Sequence, residues 1–332
     1  MRLLLVRHGE TVDNVANVYA GHTDSALTNH GVLQANRLGI HLAASKISNI
    51  FSSDLQRAVK TAEAICAAQD SRTSLQVTKL RLLREQDFGY YEKKTFHQRL
   101  KDSKKTGKET YSEAHRTNHG FKDVESKESM KGRMETFVKE HLMHLLDNNY
   151  RNLDDHTVVI VAHGIILGQL WRVVLRQFNS KYVSIGPDVP NPERGLENIG
   201  GWSNTGYLDL FIGSIQDVPL AKVGSVPLLD EESNAERPVE LEKDDIQHCK
   251  IRSLDNEPNI LKPVKLSSHD TMSLIVKSIN NQDHLRGLKK TRGGLGRGLN
   301  NKTLDMYITR PTSSALYVHF ILSQGLRIPM AM

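Results

Sequence analysis

Five residues of this 332-residue sequence have side chains that could together transfer a phosphoryl group: Arg7, His8, Arg57, Glu85 and His163. A phosphomonoester carries about −1.5 to −2 charges near pH 7, and arginine side chains neutralise such charge by paired hydrogen bonds. A histidine nitrogen can attack phosphorus, and a carboxyl group can protonate the departing alkoxide and later deprotonate water. These residue types therefore predict phosphomonoester chemistry through a histidine, with cationic side chains rather than a metal ion stabilising the charge.

Considered separately, the same residues have simpler explanations. Arg7 and His8 could be solvated loop residues, and Glu85 lies in a charged segment where carboxylates are usually at the surface. His163 follows a predicted buried strand and could be a core histidine with satisfied hydrogen bonds. Arg57 is more informative, because the helix dipole disfavours a cation in the first turn of a helix unless an anion such as phosphate lies nearby.

The elements predicted around these residues place them at one edge of a sheet. Residues 3–6 are a short apolar run that ends at the first arginine and histidine, and the β-branched run at 157–161 ends just before His163. A further predicted strand, 47–53, leads into the helix that carries Arg57. Because the carboxyl ends of parallel strands form the ligand-binding crevice of an open α/β sheet, we expect these three strand ends to converge.

The alternation of strands and helices over the first two-thirds of the chain is typical of an α/β fold. We predict a three-layer sandwich with a mainly parallel central sheet, formed by residues 1–214 as one domain. The remaining predicted elements are a strand at 75–78, an amphipathic helix at 124–146, a buried helix at 165–175 and a last strand at 201–212. We expect the charged stretch 93–129 to be a helical or mobile insertion over the sheet edge.

Beyond residue 214 the sequence becomes rich in Pro, Glu, Asp, Ser and Asn, so we predict that residues 215–332 form a largely disordered tail. A basic, glycine-containing stretch at 285–298 indicates a flexible cationic segment. Further on, Asn301, Leu304 and Tyr307 resemble the short peptide that docks on DNA sliding clamps, although Asn301 stands where that peptide has Gln. A weak sliding-clamp contact is therefore one partner prediction, and a solvated tail is the alternative.

The composition limits the partners and the compartment. The net charge of +6 and the isoelectric point near 9.1 mildly favour acidic substrates. Cys66 and Cys249 are far apart, which predicts neither a disulfide framework nor a zinc site. The sequence has no run of transmembrane length, no secretory signal pattern and no Walker, HExxH or Asp-rich metal motif. We therefore expect no membrane contact, metal or cofactor, and a cytoplasmic location with a nuclear one also open.

Six collinear motifs give residues 1–212 a resemblance to a known family. They are Arg7-His8-Gly9-Glu10-Thr11 with Asn14; Asp24-x-x-Leu27-Thr28-x-x-Gly31-x-x-Gln34-Ala35; Ser52-Ser53-Asp54-Leu55-x-Arg57-Ala58-x-x-Thr61-Ala62; Leu83-x-Glu85-x-x-Phe88-Gly89; Val161-Ala162-His163-Gly164; and Asn204-Thr205. In these motifs the chain resembles the histidine phosphatase superfamily, also called phosphoglycerate-mutase-like. One such motif would be weak, but six in the family's order and at its intervals are specific.

The resemblance implies a role for each motif residue. His8 would be the phospho-acceptor, and Glu85 would be the proton donor. The substrate's phosphate would lie in a pocket formed by Arg7, Arg57 and His163, with Asn14 and Gly164 as further substrate-binding residues. We expect a phosphorylated small-molecule substrate, and the sequence leaves its leaving group open: a sugar phosphate, a nucleotide, another metabolite or, as an alternative class, a phosphoprotein.

Two departures from the family pattern bear on the choice between activities. Gln86 follows Glu85 where cofactor-dependent mutases have a basic residue, and Lys93 stands where the family often has Gly. Both favour a phosphatase over a phosphoglycerate-type mutase, which remains the close alternative. The alternative from another class is a non-catalytic scaffold whose tail binds a nuclear partner. Replacement of His8 by Ala distinguishes an enzyme from a scaffold. It would abolish turnover if the protein is an enzyme and leave partner binding intact if the protein is a scaffold.

Overall fold

The computed structural model describes residues 1–69, 74–95, 113, 115–148, 156–215 and 272–290. Within these ranges the chain forms a seven-stranded sheet with helices on both faces. The strands are β1 (Arg2–Arg7), β2 (Ile47–Ser53), β3 (Val77–Leu80), β4 (Thr157–Ala162), β5 (Val183–Ile185), β6 (Tyr207–Ser214) and β7 (Met272–Asn281). The helices are α1 (Val12–Ala16), α2 (Asn29–His41), α3 (Gln56–Ala67), α4 (Lys127–Phe137), α5 (Met143–Asn148) and α6 (Gly164–Leu175).

The sheet order is β3-β2-β4-β1-β6-β7-β5. β1, β2, β3 and β4 are mutually parallel, whereas β6 runs antiparallel to both of its neighbours, β1 and β7. β5 pairs in parallel with β7. The prediction of an α/β fold with a mainly parallel central sheet is confirmed.

The two faces of the sheet pack against different helices. In β1, Leu3 and Leu5 belong to the buried cluster formed with α4 and α6, and Leu4 and Val6 belong to the cluster formed with α2 and α3. This alternation follows from the two-residue period of a strand. Because each large apolar side chain stabilises the fold by roughly 1.5–3 kcal/mol when fully buried, β1 anchors both layers.

The helix predicted at 124–146 differs from the observed one in a single turn. α4 and α5 are separated by a π-helical turn, Val138–Leu142, in which each hydrogen bond spans one more residue than in an α-helix. Phe137 and His141, at the start of this turn and within it, both pack on Phe51, with ring centroids 5.7 Å from that ring. The wider turn allows both rings to reach the same strand.

β7 is the largest difference from the sequence prediction. It falls within residues 215–332, which we predicted to be largely disordered, yet it forms a full strand between β6 and β5. Met272, Leu274 and Val276 alternate into the core and are at most 1% exposed, which explains why this segment joins the sheet. A 3₁₀ turn, Asp283–Leu285, follows. Residues 216–271 and 291–332 of the predicted tail lie outside the described residues, and so do residues 96–112 of the insertion predicted at 93–129.

Candidate active site

The carboxyl ends of β1, β2 and β4 meet at a cavity of about 550 Å³. The parallel register pairs Arg7 with Ala162 and Ser52 with Val161, so the residues that follow these strands lie side by side. Every residue predicted for the site lines this cavity: Arg7, His8, Asn14, Arg57, Glu85, His163 and Gly164. The structure therefore brings together residues that come from distant parts of the sequence.

His8 is buried at the base of the cavity, with 4% of its surface exposed. Its Nδ1 lies 2.7 Å from Gly9 O, and since a carbonyl oxygen only accepts, Nδ1 carries the hydrogen and Nε2 keeps its lone pair. Burial, followed by the charges of Arg57 and Arg7, holds the pKa of His8 well below its usual value. The ring is therefore neutral near pH 7, with Nε2 available as a nucleophile.

The loop that carries His8 is packed too closely to admit a side chain at Gly9. A Cβ atom there would lie 2.6 Å from the backbone oxygen of Gly31, at the start of α2. The Gly9 N–H donates to Thr61 Oγ1 of α3 at 3.1 Å. These contacts fix the backbone beside the nucleophile from two neighbouring helices.

Arg57 extends from the first turn of α3 and is 1% exposed. Its guanidinium donates to Gly21 O at 2.7 Å and to Thr23 O at 2.9 Å, and its Nε donates to His163 Nδ1 at 3.1 Å. Asp24 caps the same helix by accepting from its first N–H, at 2.9 Å. Backbone carbonyl groups and a carboxylate therefore offset the unfavourable helix position of Arg57, in addition to any phosphate.

His163 is fully buried and has partners at both ring nitrogens. Nδ1 accepts from Arg57, so in the neutral ring Nε2 carries the hydrogen and donates to Ser53 Oγ at 2.9 Å. Burial and the neighbouring charge of Arg57 hold the pKa of His163 well below its usual value. The ring centroid lies 5.0 Å from that of His8. His163 therefore joins the nucleophile, Arg57 and β2 in one contact network.

Arg7 has one donor committed and one unused. Its Nη1 donates to Trp202 O, while its Nε is buried without a hydrogen-bond partner. Burial lowers the pKa of Arg7, although an arginine keeps its charge near pH 7. The Nε lies beside Gly164, 3.8 Å from the position a Cβ would take there. A buried donor without a partner is costly, so this N–H is a ready position for an anionic oxygen.

Glu85 lies across the first turn of α6. Its Oε1 accepts from Ile166 N at 3.0 Å and from Gln86 N at 3.0 Å, and its Oε2 accepts from Ile165 N at 3.2 Å. The N–H groups of Ile165 and Ile166 belong to the first turn of α6, where backbone donors have no partners within the helix, and a carboxylate satisfies them. Glu85 is thereby held at the mouth of the cavity next to His163, the residue that precedes α6.

Asn14 reaches the nucleophile through a second asparagine. Its Oδ1 accepts from Asn204 Nδ2 at 3.1 Å, and the same Nδ2 lies 3.2 Å from His8 O. Thr205 N donates to both Arg7 O and His8 O, at 3.0 and 3.2 Å. Thr205 has a φ of 56°, in the left-handed region that is uncommon for residues other than glycine. The loop 203–206 thus positions the backbone at the end of β1.

The C-terminal segment supports this loop, which sequence analysis did not anticipate. Asn280 Oδ1 accepts from Ser203 N at 2.9 Å, and its Nδ2 donates to Ser203 Oγ at 3.0 Å. The Thr205 hydroxyl donates to the carbonyl oxygen of residue 204, so it accepts from His284 Nε2 at 2.9 Å. His284 Nδ1 is buried without a partner, and burial lowers the pKa of His284 to about 4.

The other supporting groups were visible to sequence reasoning only in part. Ser53, Thr61 and Asn204 belong to the quoted motifs, but their contacts could not be assigned from spacing. The carbonyl groups of Gly21 and Trp202 leave no side-chain signature at all. Across the described ranges, no three His, Cys, Asp or Glu side chains are grouped to hold a metal ion, and no helix is long and apolar enough to cross a membrane.

Comparison with known proteins bears on this site directly. The sequence profile of the histidine phosphatase superfamily (branch 1) matches residues 3–189. The chain belongs to the histidine phosphatase superfamily. It is 30% identical over 179 residues to "Putative phosphoserine phosphatase 2" of Hydrogenobacter thermophilus, covering 52% of this chain and 83% of that protein. It is 34% identical over 178 residues to "Probable phosphoglycerate mutase GpmB" of Erwinia tasmaniensis, covering 53% and 75%.

Among solved structures, the chain is similar to a mycobacterial glucosyl-3-phosphoglycerate phosphatase at 26% identity, with 64% of this chain and 91% of that one covered and a TM-score of 0.47. The predicted resemblance to histidine phosphatases is confirmed, and the match includes every predicted site residue of the cavity. The superfamily match ends before β6 and β7. The strands that flank and support the loop 203–206 therefore lie outside the matched residues.

Proposed function

We propose that the protein is a phosphomonoester phosphatase that works through a phosphohistidine on His8 and requires no metal ion. The state of His8 carries the proposal. The ring is buried and neutral, its Nδ1 is held by Gly9 O, and its free Nε2 lies among cationic groups. This combination suits attack on a phosphorus atom, because the nucleophile is unprotonated while its surroundings attract an anion.

In the first step, Nε2 of His8 attacks phosphorus in line with the ester oxygen. The P–N bond forms as the P–O bond breaks, and the electron pair leaves with the alkoxide, which takes a proton from Glu85. In the second step, water loses a proton to Glu85 and attacks phosphorus, and the P–N electron pair returns to Nε2. The sum is ester plus water to alcohol plus inorganic phosphate, with Glu85 protonated again.

The arginine side chains stabilise the charge on the transferring group. The unpartnered Nε of Arg7 offers one hydrogen bond, and the guanidinium of Arg57 is already oriented by Gly21 O and Thr23 O. Donors oriented before the reaction need no reorganisation in the transition state, and this is usually the largest electrostatic contribution to catalysis. The substrate contacts predicted for Asn14 and Gly164 would lie at the edge of the phosphate-binding site that these arginine side chains form.

His163 has a more specific part in this proposal than phosphate binding alone. Both its ring nitrogens have partners before a substrate is present, so donation to a phosphoryl oxygen requires the substrate to displace Ser53 Oγ from Nε2. We propose that His163 also orients Arg57 by accepting from its Nε. The donor role predicted from the resemblance stays a prediction.

The substrate class that we propose is a small phosphorylated molecule. A cavity of about 550 Å³ falls within the range that holds a small ligand, and it extends beyond the groups that would bind phosphate. Two relatives carry names that refer to phosphoserine and phosphoglycerate, which are both small phosphorylated acids. A mutase would return the phosphoryl group to the carbon skeleton, whereas a phosphatase releases inorganic phosphate, so product analysis separates the two.

The test compares the full-length chain with its His8→Ala variant on an aryl phosphate in the presence of EDTA. A matched control is His119→Ala, because His119 is exposed and outside the cavity. We expect wild type and control to release phosphate and to form an acid-labile, alkali-stable phosphoenzyme in rapid-quench experiments. The His8→Ala variant should show neither.

Three results would contradict the proposal. Turnover by His8→Ala at the wild-type rate would exclude the phosphohistidine route, and loss of activity in EDTA would exclude metal independence. Failure of wild type on aryl phosphates and on a panel of natural phosphomonoesters would favour the scaffold reading.

The partner prediction concerns residues outside the described ranges. Asn301, Leu304 and Tyr307 stay a predicted sliding-clamp contact, and a nuclear location stays a prediction with it. A labelled peptide of residues 296–312, titrated with a DNA sliding clamp, tests this contact, with Leu304→Ala and Tyr307→Ala together as the control. Equal binding of both peptides would contradict it.

A further inference from the structure

The outer end of the cavity carries a cation that the proposed chemistry at His8 does not use. Arg172 lies on α6, the helix that begins immediately after His163, and it lines the same cavity as the nucleophile. We propose that the leaving group of the substrate carries a second anionic group, a carboxylate or a phosphate, and that Arg172 binds it. This inference rests on the proposed phosphatase function and narrows its substrate class.

The position of the Arg172 guanidinium gives the spacing between the two anionic groups. Its Nη1 lies 4.0 Å from where a Cβ of Gly168 would be, so the side chain folds back one turn toward the start of α6. Gly168 is four residues after Gly164, which corresponds to about 6 Å along a helix. The second anion should therefore lie about one helical turn beyond the phosphate-binding end.

The absence of a side chain at Gly168 leaves this path open. The guanidinium lies over the bare backbone of that turn, where a larger residue would occupy the space between Arg172 and the phosphate end. Gln169, on the same turn, also lines the cavity and can hydrogen-bond a carboxylate or a hydroxyl group. One face of α6 thus lines the cavity between the phosphate-binding end and Arg172.

Arg172 is also available for an anion. Within the described ranges, no Asp or Glu oxygen lies within 4.0 Å of its guanidinium, and its hydrogen bond to Asn198 Oδ1 is long, at 3.4 Å. Arg84, by contrast, is paired with Asp54 through two bonds of 2.7 Å. A half-buried guanidinium without a carboxylate partner can form a bidentate pair with a carboxylate or a phosphate.

A second cavity, of about 370 Å³, adjoins the first at the same residue. Arg172, Gly168, Gly200 and Trp202 line both cavities, and Arg194 lines the outer one. Leaving groups longer than one helical turn could extend into this outer space. Arg172 is the charged residue among the four that line both cavities, so a leaving group that extends from the first cavity into the second would lie beside its guanidinium.

The walls of the inner cavity fit the neutral part of such a leaving group. Tyr19 and Phe88 pack against each other with their ring planes tilted by 41° and their centroids 4.5 Å apart, and both line the cavity. An apolar or hydroxylated carbon skeleton can rest on these rings while its two ends are anionic. A substrate with a single phosphate and a neutral leaving group would use the walls but leave Arg172 without a ligand.

The experiment measures kcat/KM of the full-length protein on paired substrates that differ in whether the leaving group carries a second anionic group. Carboxyphenyl phosphate is compared with carbamoylphenyl phosphate, and an alkanediol bisphosphate with the matching monophosphate. The variants are Arg172→Gln, Arg172→Lys and the control Arg176→Gln, which changes the exposed residue that caps the C-terminus of α6. The two pairs distinguish a carboxylate site from a phosphate site.

We expect wild type to prefer at least one acidic substrate over its neutral partner by about 10- to 100-fold, the range of a charge-assisted bidentate pair. Arg172→Gln should remove this preference and leave kcat/KM on the neutral substrates unchanged. Arg176→Gln should behave as wild type. Arg172→Lys should recover part of the preference, because it keeps the charge but loses the fork.

The inference fails if wild type shows no preference in either pair. It also fails if Arg172→Gln lowers kcat/KM on the acidic and the neutral substrates equally. Binding in the His8→Ala background, measured by calorimetry with the same pairs, tests the site without turnover. Preferential binding of the acidic partner that Arg172→Gln abolishes would support the site even if no substrate were hydrolysed. Loss of turnover on the neutral aryl phosphates alone would refute the proposed function and not this site.

Discussion

Two regions of the molecule contribute to the same site in different ways. The segments that follow β1, β2, β3 and β4 supply the predicted site residues that line the cavity, and the family match covers all of these residues. The segment 272–290 supplies none of the lining residues, but Asn280 and His284 hold the loop 203–206. That loop in turn holds the backbone of Arg7 and His8. One region supplies the side chains for the proposed chemistry, and the other holds the backbone that aligns them.

The difference between these regions shows that the residues which align a site can come from parts of a chain that carry no motif. A group that contacts the reacting atoms tolerates little change in chemical type. A group that acts through a backbone contact tolerates any substitute that keeps the hydrogen bond. The two regions should therefore respond differently to conservative substitutions.

The largest effect on activity should come from the lining region. Replacement of Arg57 by Lys keeps the charge but loses the fork that contacts Gly21 O, Thr23 O and His163. We expect kcat/KM on an aryl phosphate to fall about 100- to 1,000-fold, the usual cost of losing an oriented donor. The control is Lys60→Arg on the exposed face of α3. A loss below tenfold would show that charge alone suffices.

The supporting region should show its largest effect on stability. Leu274 is fully buried in β7, so Leu274→Ala should lower the free energy of unfolding by about 2–5 kcal/mol. Lys277→Ala, at an exposed position of the same strand, should change it by less than about 0.5 kcal/mol. Urea unfolding measures both. Equal values for the two variants would mean that β7 does not belong to the folded core.

His284 should make stability depend on pH. Its pKa is about 4 in the folded protein, against about 6.5 in an unfolded chain. Below pH 6.5 the unfolded state therefore binds a proton that the folded state resists, and stability falls as the pH is lowered from 6.5 to 4. The size of this loss is about 3 kcal/mol.

The measurement for His284 is urea unfolding at pH 7.5 and pH 4.5 for wild type and His284→Gln. Glutamine can still donate to Thr205 Oγ1 but cannot titrate. We expect the difference in stability between the two pH values to be smaller in the variant, whereas His8 and His163 contribute equally to both proteins. An identical pH dependence in the two proteins would contradict this assignment.

The smallest effect should be on catalytic alignment. Asn280→Ala removes both bonds to Ser203, and we expect kcat to fall about tenfold with little change in KM, because the loop shifts the backbone of His8. Asn280→Asp keeps the acceptor for Ser203 N and should recover part of the activity. Asn281→Ala, which loses only two exposed hydrogen bonds with Asp283, is the control. An unchanged kcat would mean that the segment 272–290 contributes to the fold and not to catalytic alignment.

The motif-bearing strands could be predicted because their signals are local. Val158 to Val161 is a continuous β-branched run, and all four residues are fully buried or nearly so in β4. The residues after β1 and β4 were predicted to converge because the carboxyl ends of parallel strands share an edge. Their convergence in one cavity follows from the observed register.

The rest could not be predicted, for two physical reasons. β7 has the alternating pattern of a strand at Met272, Leu274 and Val276, but a long polar stretch separates it from β6, and pairing over such a distance leaves no local signal. The partners of Arg7 and Arg57 are largely backbone carbonyl groups, which every residue type provides. The side chain types could suggest the chemistry, but only the fold determines which carbonyl groups orient them.

The place of β7 in the sheet also has a consequence for how this protein is made. In the described sheet β5 pairs with β7 and with no other strand, although β5 lies far earlier in the sequence. At about 5–20 residues per second, a ribosome needs roughly 5–20 s to extend the chain from residue 185 to residue 276. During that interval β5 and the outer edge of β6 lack their partner, and open strand edges promote aggregation. Nascent chains should therefore depend on chaperones until β7 emerges.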